Sequence, residues 1–177
     1  MAPSDGTHRF GPDNASLRVQ TYREGVAAKA GHDLILEVTR WDATIDAAGP
    51  RVELNADPGS LEVREGLRGV KPLSDRDRGE IRKNIDAKVL GGEPIRFRSS
   101  DVQRDGGVVT VEGELTMAGR TRPATVRLAV EDGALRGTIS LTQSAWGIKP
   151  YRGLMGALKV RDDVEVVIDA YAAGRMF

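Results

Sequence analysis

Short segments in which apolar and polar residues alternate dominate the chain from residue 15 onward. Alternation with a period of two is typical of strands that bury one face. It predicts about eight strands, near residues 15–22, 33–46, 51–56, 60–65, 95–103, 108–117, 123–131 and 134–143. A ninth segment at 157–171 is either separate or merged with a neighbour. Asp132-Gly133 and Asp105-Gly106-Gly107 each lie between two such runs, which indicates hairpins.

Short turns between neighbouring strands require antiparallel pairing, and closing the sheet hides every strand edge. The pattern therefore predicts an all-β fold, a single antiparallel up-and-down β-barrel. A chain of 177 residues corresponds to one domain. We place that domain at residues 14–174, after a polar segment, 1–13, that we expect to be flexible.

One segment departs from the alternation and predicts an amphipathic α-helix near residues 75–90. Ile81, Ile85 and Val89 recur every four residues with charged residues between them. Ser74 or Asp75 is suited to cap the start, and Gly91-Gly92 to end the helix. We expect its apolar stripe to pack against the mouth or the flank of the barrel. The helix then either only closes one end of the barrel or also forms part of a binding site.

Alternation also predicts which side chains point into the barrel, where they fill it or line an elongated cavity. The strand at 33–46 needs a bulge near Glu37 to bring Leu34, Leu36 and Val38 to the same side as Trp41. Without it, Glu37 would lie unpaired in an apolar interior. The inward residues proposed as ligand contacts are Trp41, Ile45, Leu54, Phe97, Val109, Val111, Leu115, Ile139 and Leu141.

Composition narrows the classes of function. The 26 basic and 26 acidic residues balance, and aromatic residues are scarce, so we expect no nucleic-acid partner. Without cysteine there is no thiolate metal site or thiol nucleophile. No metal-binding or phosphate-binding motif occurs, so we expect no metal and no cofactor. The sequence shows no apolar leader or membrane-spanning run, which favours a cytoplasmic location.

The segment Ile139–Tyr171 concentrates large apolar groups in a glycine-spaced loop between two strands. Exposed apolar groups are costly, so this loop either plugs the barrel or contacts an apolar ligand. Its portal residues would be Trp146, Ile148, Tyr151, Leu154 and Met155. Lys149, Arg152 and His32 are candidate contacts for an anionic head group, with ordinary solvated charges as the alternative for the two loop cations.

Four motifs in order resemble the YceI-like family of lipocalin-like, polyisoprenoid-binding proteins. They are Gly31-His32-Asp33; the segment from Asp75 to Ile85 before Pro94-Ile-Arg-Phe; Gly113-Glu-Leu-Thr-Met-Ala-Gly-Arg-Thr-Arg-Pro; and Thr142, Ser144, Trp146, Gly147 and Ile148 followed by Asp162 to Ile168. The resemblance implies a lipocalin-like barrel whose lumen binds a polyisoprenoid or a related lipid. Many family members are exported; this sequence departs from them at its N-terminus, so we expect a cytoplasmic variant.

We therefore expect a carrier or sensor of an elongated apolar ligand, involved in binding or transport and not an enzyme. Two alternatives remain open. One is a filled barrel that acts as an interaction or stress module through its surface. The other is an enzyme that uses His32 with a carboxylate from another strand, because adjacent His32 and Asp33 point to opposite faces. The sequence leaves the oligomeric state open, a homodimer being one possibility.

Overall fold

The computed structural model describes residues 6–46, 48–49, 51–153 and 158–171, and most of them lie in strands. The strands are β1 Thr7–Phe10, β2 Ala15–Thr21, β3 Arg23–Glu24, β4 Asp33–Val38, β5 Trp41–Asp46, β6 Arg51–Ala56, β7 Leu61–Leu67, β8 Ile95–Asp105, β9 Val108–Met117, β10 Arg120–Glu131, β11 Ala134–Thr142, β12 Arg152–Gly153, β13 Leu158–Val160 and β14 Asp163–Tyr171. One helix, α1, spans Asp75–Asn84 and continues as a π-helical turn, Ile85–Val89.

Eleven strands form one antiparallel sheet in the order β1-β5-β6-β8-β9-β10-β11-β14-β2-β4-β7. This sheet closes on itself because two of its strands are bent. β4 runs on through Thr39 and Arg40 into β5, and β6 runs on through the turn Pro58–Ser60 into β7. Hydrogen bonds from Thr39 N to Ser60 O and from Asp57 N to Arg40 O link the two bends. The two bent strands thus stand side by side and complete an eight-stranded barrel, as predicted.

The side of the sheet that faces inward is apolar, and the outward positions are charged. Arg96, Arg98, Glu112, Glu114, Arg127 and Arg136 are all exposed, as the alternation predicted. In the bent strand Leu36, Val38, Trp41 and Ile45 are all buried. The change of face therefore falls between Val38 and Trp41, just after the predicted position near Glu37, and the register of β4 on β7 shifts between Ile35 and Leu36. Glu37 lies on the outer surface, where it forms an ion pair with Arg64.

The first residues differ from the sequence-based expectation. Residues 7–10, inside the segment expected to be flexible, form β1, which pairs with β5 from Thr7↔Asp46 to Phe10↔Ala43. Phe10 is buried in the core, so this strand has an apolar anchor. A single buried aromatic residue in a four-residue strand leaves too short an alternation to detect in the sequence.

The helix begins where the sequence indicated. Ser74 Oγ accepts a hydrogen bond from Asp77 N at 3.1 Å, and the Asp77 carboxylate accepts one from Ser74 N at 2.9 Å. This reciprocal capping box stabilises the first turn. The α-helix is shorter than the predicted 75–90, because the last turn is π-helical. None of the residues of α1 or of that turn is fully buried.

Candidate functional site

The barrel encloses a cavity of about 640 Å³. Its wall is built from the inward apolar side chains of the barrel strands and from Ile81, Ile85 and Val89 of the helical segment. The helical stripe therefore faces the cavity across one end of the barrel. Because apolar surface gains about 25 cal/mol for each Å² removed from water, such a wall suits an apolar ligand.

The polar side chains that line the cavity all lie at one end of the barrel, among the described residues. They are Thr21, Arg23, His32, Lys71, Asp77, Glu80, Asn84, Gln143, Tyr151 and Lys159. Three long connections meet there, 22–32, 68–74 and 143–162, together with α1. Lys71, Asp77, Glu80 and Tyr151 are exposed as well, so the cavity reaches solvent at this end. We call this end the mouth; the turns 11–14, 105–108 and 131–134 lie at the opposite end, and the tight turn between β9 and β10 lies at the mouth end.

Most of the proposed contact residues lie together around the cavity. Those that line it are Trp41, Ile45, Leu54, Phe97, Val111, Leu115, Ile139, Leu141, Ile148, Tyr151 and His32. Val109 and Trp146 are buried but do not line it. Lys149 and Arg152 are exposed on the loop outside the lining. Leu154 and Met155 lie outside the described residues.

The two tryptophans have different environments. Trp41 lines the cavity, and its buried indole N–H has no hydrogen-bond acceptor among the residues that the structure describes. Trp146 packs in the core, and its Nε1 donates to the carbonyl oxygen of Leu115 at 2.8 Å. Trp146 therefore fixes the loop to the barrel, whereas Trp41 is the tryptophan beside the cavity.

The motif around Trp146 orders the start of the long loop. Ser144 donates from its backbone N to Asp162 Oδ1 at 2.8 Å and from its hydroxyl to Asp162 Oδ2 at 2.5 Å. The buried Gln143 donates from Nε2 to Arg161 O at 3.0 Å. Gly147 has φ 72°, and an added Cβ would lie 2.6 Å from the Arg120 guanidinium carbon. Glycine adopts this left-handed backbone without strain, so Gly147 favours the turn that seats the loop.

Asp33 and His32 have separate partners, as expected for adjacent strand residues. The buried Asp33 accepts hydrogen bonds from Arg23 N at 2.8 Å and from the Arg68 guanidinium at 3.1 Å. His32 Nε2 bonds the carbonyl oxygen of Lys71. A carbonyl oxygen only accepts, so this nitrogen carries the proton. The contacts of His32 with Lys71 and of Asp33 with Arg68 thus tie the start of β4 and the connection before it to the connection 68–74.

Three further contacts stabilise the loops at the mouth. β3 and β12 both pair with β13, which makes a small three-stranded sheet from the connections 22–32 and 143–162. The Tyr22 hydroxyl lies 3.0 Å from Glu165 Oε2. Burial first, and then this hydrogen bond, raise the pKa of Tyr22 above its usual value. The Arg161 guanidinium lies over the Tyr22 ring.

The described part of the chain contains no cluster of three acidic or histidine side chains with metal-binding geometry. None of its helices is long and apolar enough to cross a bilayer. These statements concern residues 6–46, 48–49, 51–153 and 158–171 alone.

Comparison with solved structures identifies similar barrels. BcnA of Burkholderia cenocepacia superimposes with a TM-score of 0.62 at 14% identity, covering 90% of this chain and 96% of that one. A mutant CJ YCEI protein crystallised with a monobromobimane guest gives 0.53 at 13% identity, covering 77% and 82%. At these identities the likeness concerns the fold. No curated protein matches the chain.

The sequence itself provides the assignment. The model of the YceI-like domain matches residues 37–172, which is most of the chain. The match includes the bent strand from Glu37 onward, α1 and the Ser144–Ile148 motif. The predicted lipocalin-like barrel is confirmed by the structural neighbours. The chain belongs to the YceI-like family.

Proposed function

We propose that this protein is a non-catalytic carrier or sensor of an elongated ligand with an apolar chain and one polar end, such as a polyisoprenoid or another lipid. The apolar chain lies in the lumen, and the polar end lies at the mouth. The observation that carries the proposal is the division of the cavity lining into an apolar wall and a polar rim. A filled barrel has no room for such a ligand, so the cavity favours the carrier over the interaction module.

The polar groups at the mouth suit a head group better than a reaction. His32 Nε2 is engaged by the Lys71 carbonyl, and Asp33 is engaged by Arg23 and Arg68. Neither side chain is arranged as half of an acid–base pair. Lys71 and Lys159 both line the rim and offer ammonium groups to an anionic or hydroxylated head group. Lys149 and Arg152 lie in the connection 143–162, as Lys159 does. They are exposed and offer positive charge near the mouth without lining the cavity.

The most direct test is whether the protein, purified from its host, retains a bound ligand. The full chain, purified from its own host without detergent, is expected to carry a lipid of constant mass in native mass spectrometry. Stripped protein should then rebind a long-chain isoprenoid with a stoichiometry of about one per barrel.

A pair of neighbouring substitutions locates the ligand. Ile139 lines the cavity, whereas Thr138, the next residue on β11, is exposed on the outer face. Ile139→Trp fills part of the lumen and should abolish ligand retention, while Thr138→Trp should retain it. Equal retention by two folded variants would contradict a luminal site.

A further inference from the structure

Basic residues are concentrated in the three connections that form the mouth. Residues 22–32 and 68–74 each contain two, and residues 143–162 contain four, against two acidic residues, Glu24 and Asp162. The helical segment 75–89 at the same end adds five basic and four acidic residues, so the excess remains. The whole chain is neutral, with 26 basic and 26 acidic residues, so this excess is balanced elsewhere. At the opposite end, residues 11–14, 105–108 and 131–134 carry Asp13, Asp105, Glu131 and Asp132 and no basic residue, and residues 46–51 carry one charge of each sign. The barrel is therefore polar along its axis, with the positive end at the mouth.

Apolar side chains in solvent lie at the same end. Five large apolar side chains among the described residues are exposed, and four of them surround the mouth. Val26 is 97% exposed, Val70 75%, Tyr151 42% and Leu67 41%. Val26, Val70 and Tyr151 come one from each connection, and Leu67 ends β7 beside them. The fifth, Tyr171, ends β14 at the opposite end. An apolar rim around a cavity mouth is typical of an interaction surface.

The cations beside this rim are available to a partner. Lys29, Lys71 and Lys149 are exposed, and within the described ranges no other side chain pairs with their ammonium groups. Contacts between two of the connections fix their relative positions: Arg23 bonds Arg68 O, and His32 bonds Lys71 O. The mouth thus combines exposed apolar side chains with unpaired lysines, and the exposed carboxylates of Asp77 and Glu80 lie on α1 at the same end.

We propose that the mouth docks on an anionic lipid bilayer, with Val26, Val70 and Tyr151 entering the interface and the surrounding lysines contacting lipid head groups. Apolar insertion combined with basic residues is the chemistry of peripheral membrane binding. Docking in this orientation places the cavity opening against the membrane, which is the source or the destination of an apolar ligand. This use of the surface rests on the proposed carrier function; the bilayer contact itself requires no ligand.

Flotation of the full chain with lipid vesicles tests the proposal. Vesicles of phosphatidylglycerol mixed with phosphatidylcholine should retain the stripped protein, and vesicles of phosphatidylcholine alone should retain much less. Retention should fall between about 0.15 M and about 1 M salt, since the screening length shortens from about 8 Å to about 3 Å.

Matched variants separate the mouth from the rest of the surface. Each lysine near an anionic membrane strengthens binding about fivefold, so K29Q/K71Q/K149Q should weaken it roughly a hundredfold. R51Q/R98Q/R127Q removes three exposed charges from the barrel wall and should leave retention unchanged. V26S/V70S should weaken it as well, whereas Tyr171→Ser, at the opposite end, should not.

Three results would overturn the proposal: equal retention on neutral and anionic vesicles, equal loss in the mouth and wall variants, or no flotation at all. If the protein did not float with any vesicle but still carried a lipid in native mass spectrometry, the partner of this surface would be another protein and not a bilayer. A chain that floats but binds no ligand would instead refute the carrier function and keep the membrane contact.

Discussion

The indole nitrogen of Trp146 donates a hydrogen bond to the carbonyl oxygen of Leu115, 2.8 Å away, in the interior of the protein. This bond joins the long loop after β11 to β9. Trp41, the other tryptophan, is equally buried, but its N–H has no acceptor within the described ranges.

The two tryptophans should respond differently to replacement by phenylalanine. Trp146→Phe removes a hydrogen bond and leaves the Leu115 carbonyl unpaired, so we expect a loss of about 1–3 kcal/mol of unfolding free energy. Trp41→Phe removes a donor that is already unpaired, so the cost is confined to lost packing. Urea denaturation measures both. A larger loss for Trp41→Phe would show that its N–H has a partner in solution.

Ligand binding should be reported by Trp41, because it lines the cavity and Trp146 does not. In Trp146→Phe, a long-chain isoprenoid should change the remaining tryptophan emission saturably. In Trp41→Phe, the same titration should change it little. The opposite outcome would place the ligand at the loop and not in the lumen.

The contact between His32 and Gly69 gives a prediction with an internal control. A Cβ on Gly69 would lie 2.1 Å from His32 Nε2, so Gly69→Ala must displace the ring from the Lys71 carbonyl. We expect a cost of about 1–3 kcal/mol. Gly79 in α1 has nothing within 4 Å of its Cβ position, so Gly79→Ala should stabilise by about 0.5–1 kcal/mol. Thermal unfolding of the two variants in parallel compares them, and equal shifts would mean that the ring does not pack on Gly69.

Lowering the pH should destabilise the first turn of α1, where Asp77 forms the capping box. The hydrogen bond from the Ser74 backbone, followed by that from its side chain, lowers the pKa of Asp77. A carboxylate whose pKa is lowered by folding stabilises the fold above its unfolded pKa, near 4, and this contribution is lost as the pH falls through the folded value. Stability of the parent should therefore decrease below about pH 4 more steeply than that of Asp77→Asn. Parallel slopes in urea titrations at several pH values would contradict this role.

Ile85 tests whether the helix contacts ligand. It lines the cavity and is only partly buried, so Ile85→Ala should cost less than the 2–5 kcal/mol typical of a core isoleucine. The same variant should weaken isoprenoid binding, because an apolar ligand contact is lost. The exposed Lys83→Ala is the control on the same helix. If Ile85→Ala lost as much unfolding free energy as a core variant and still bound isoprenoid normally, the helical stripe would contact the barrel and not the ligand.

Local patterns were sufficient to predict the barrel, because alternation and turn residues are read within one strand. The segments 51–56 and 108–117 agree with β6 and β9 residue for residue. The side of the sheet on which Glu37 lies was also predictable, because a buried unpaired carboxylate is costly. The exact position of the bend required its partner, since hydrogen bonds between Thr39 and Ser60 fix it.

Features set by contacts between distant segments could not be predicted. Trp146 lies in a loop rich in apolar residues, and nothing in that loop indicates that its N–H reaches Leu115. The packing of His32 on Gly69 joins residues 37 positions apart, and neither neighbourhood identifies the other. The excess of basic residues at the mouth is visible only after the topology brings three connections to one end.

The separation of charge along the barrel also bears on how the protein behaves at high concentration. A neutral molecule has no overall repulsion between copies, and here the positive mouth of one copy can attract the acidic turns of the next. Such end-to-end attraction is strongest at low ionic strength and is screened by salt. The protein should therefore be more soluble, and scatter less light, in moderate salt than in dilute buffer near its isoelectric point.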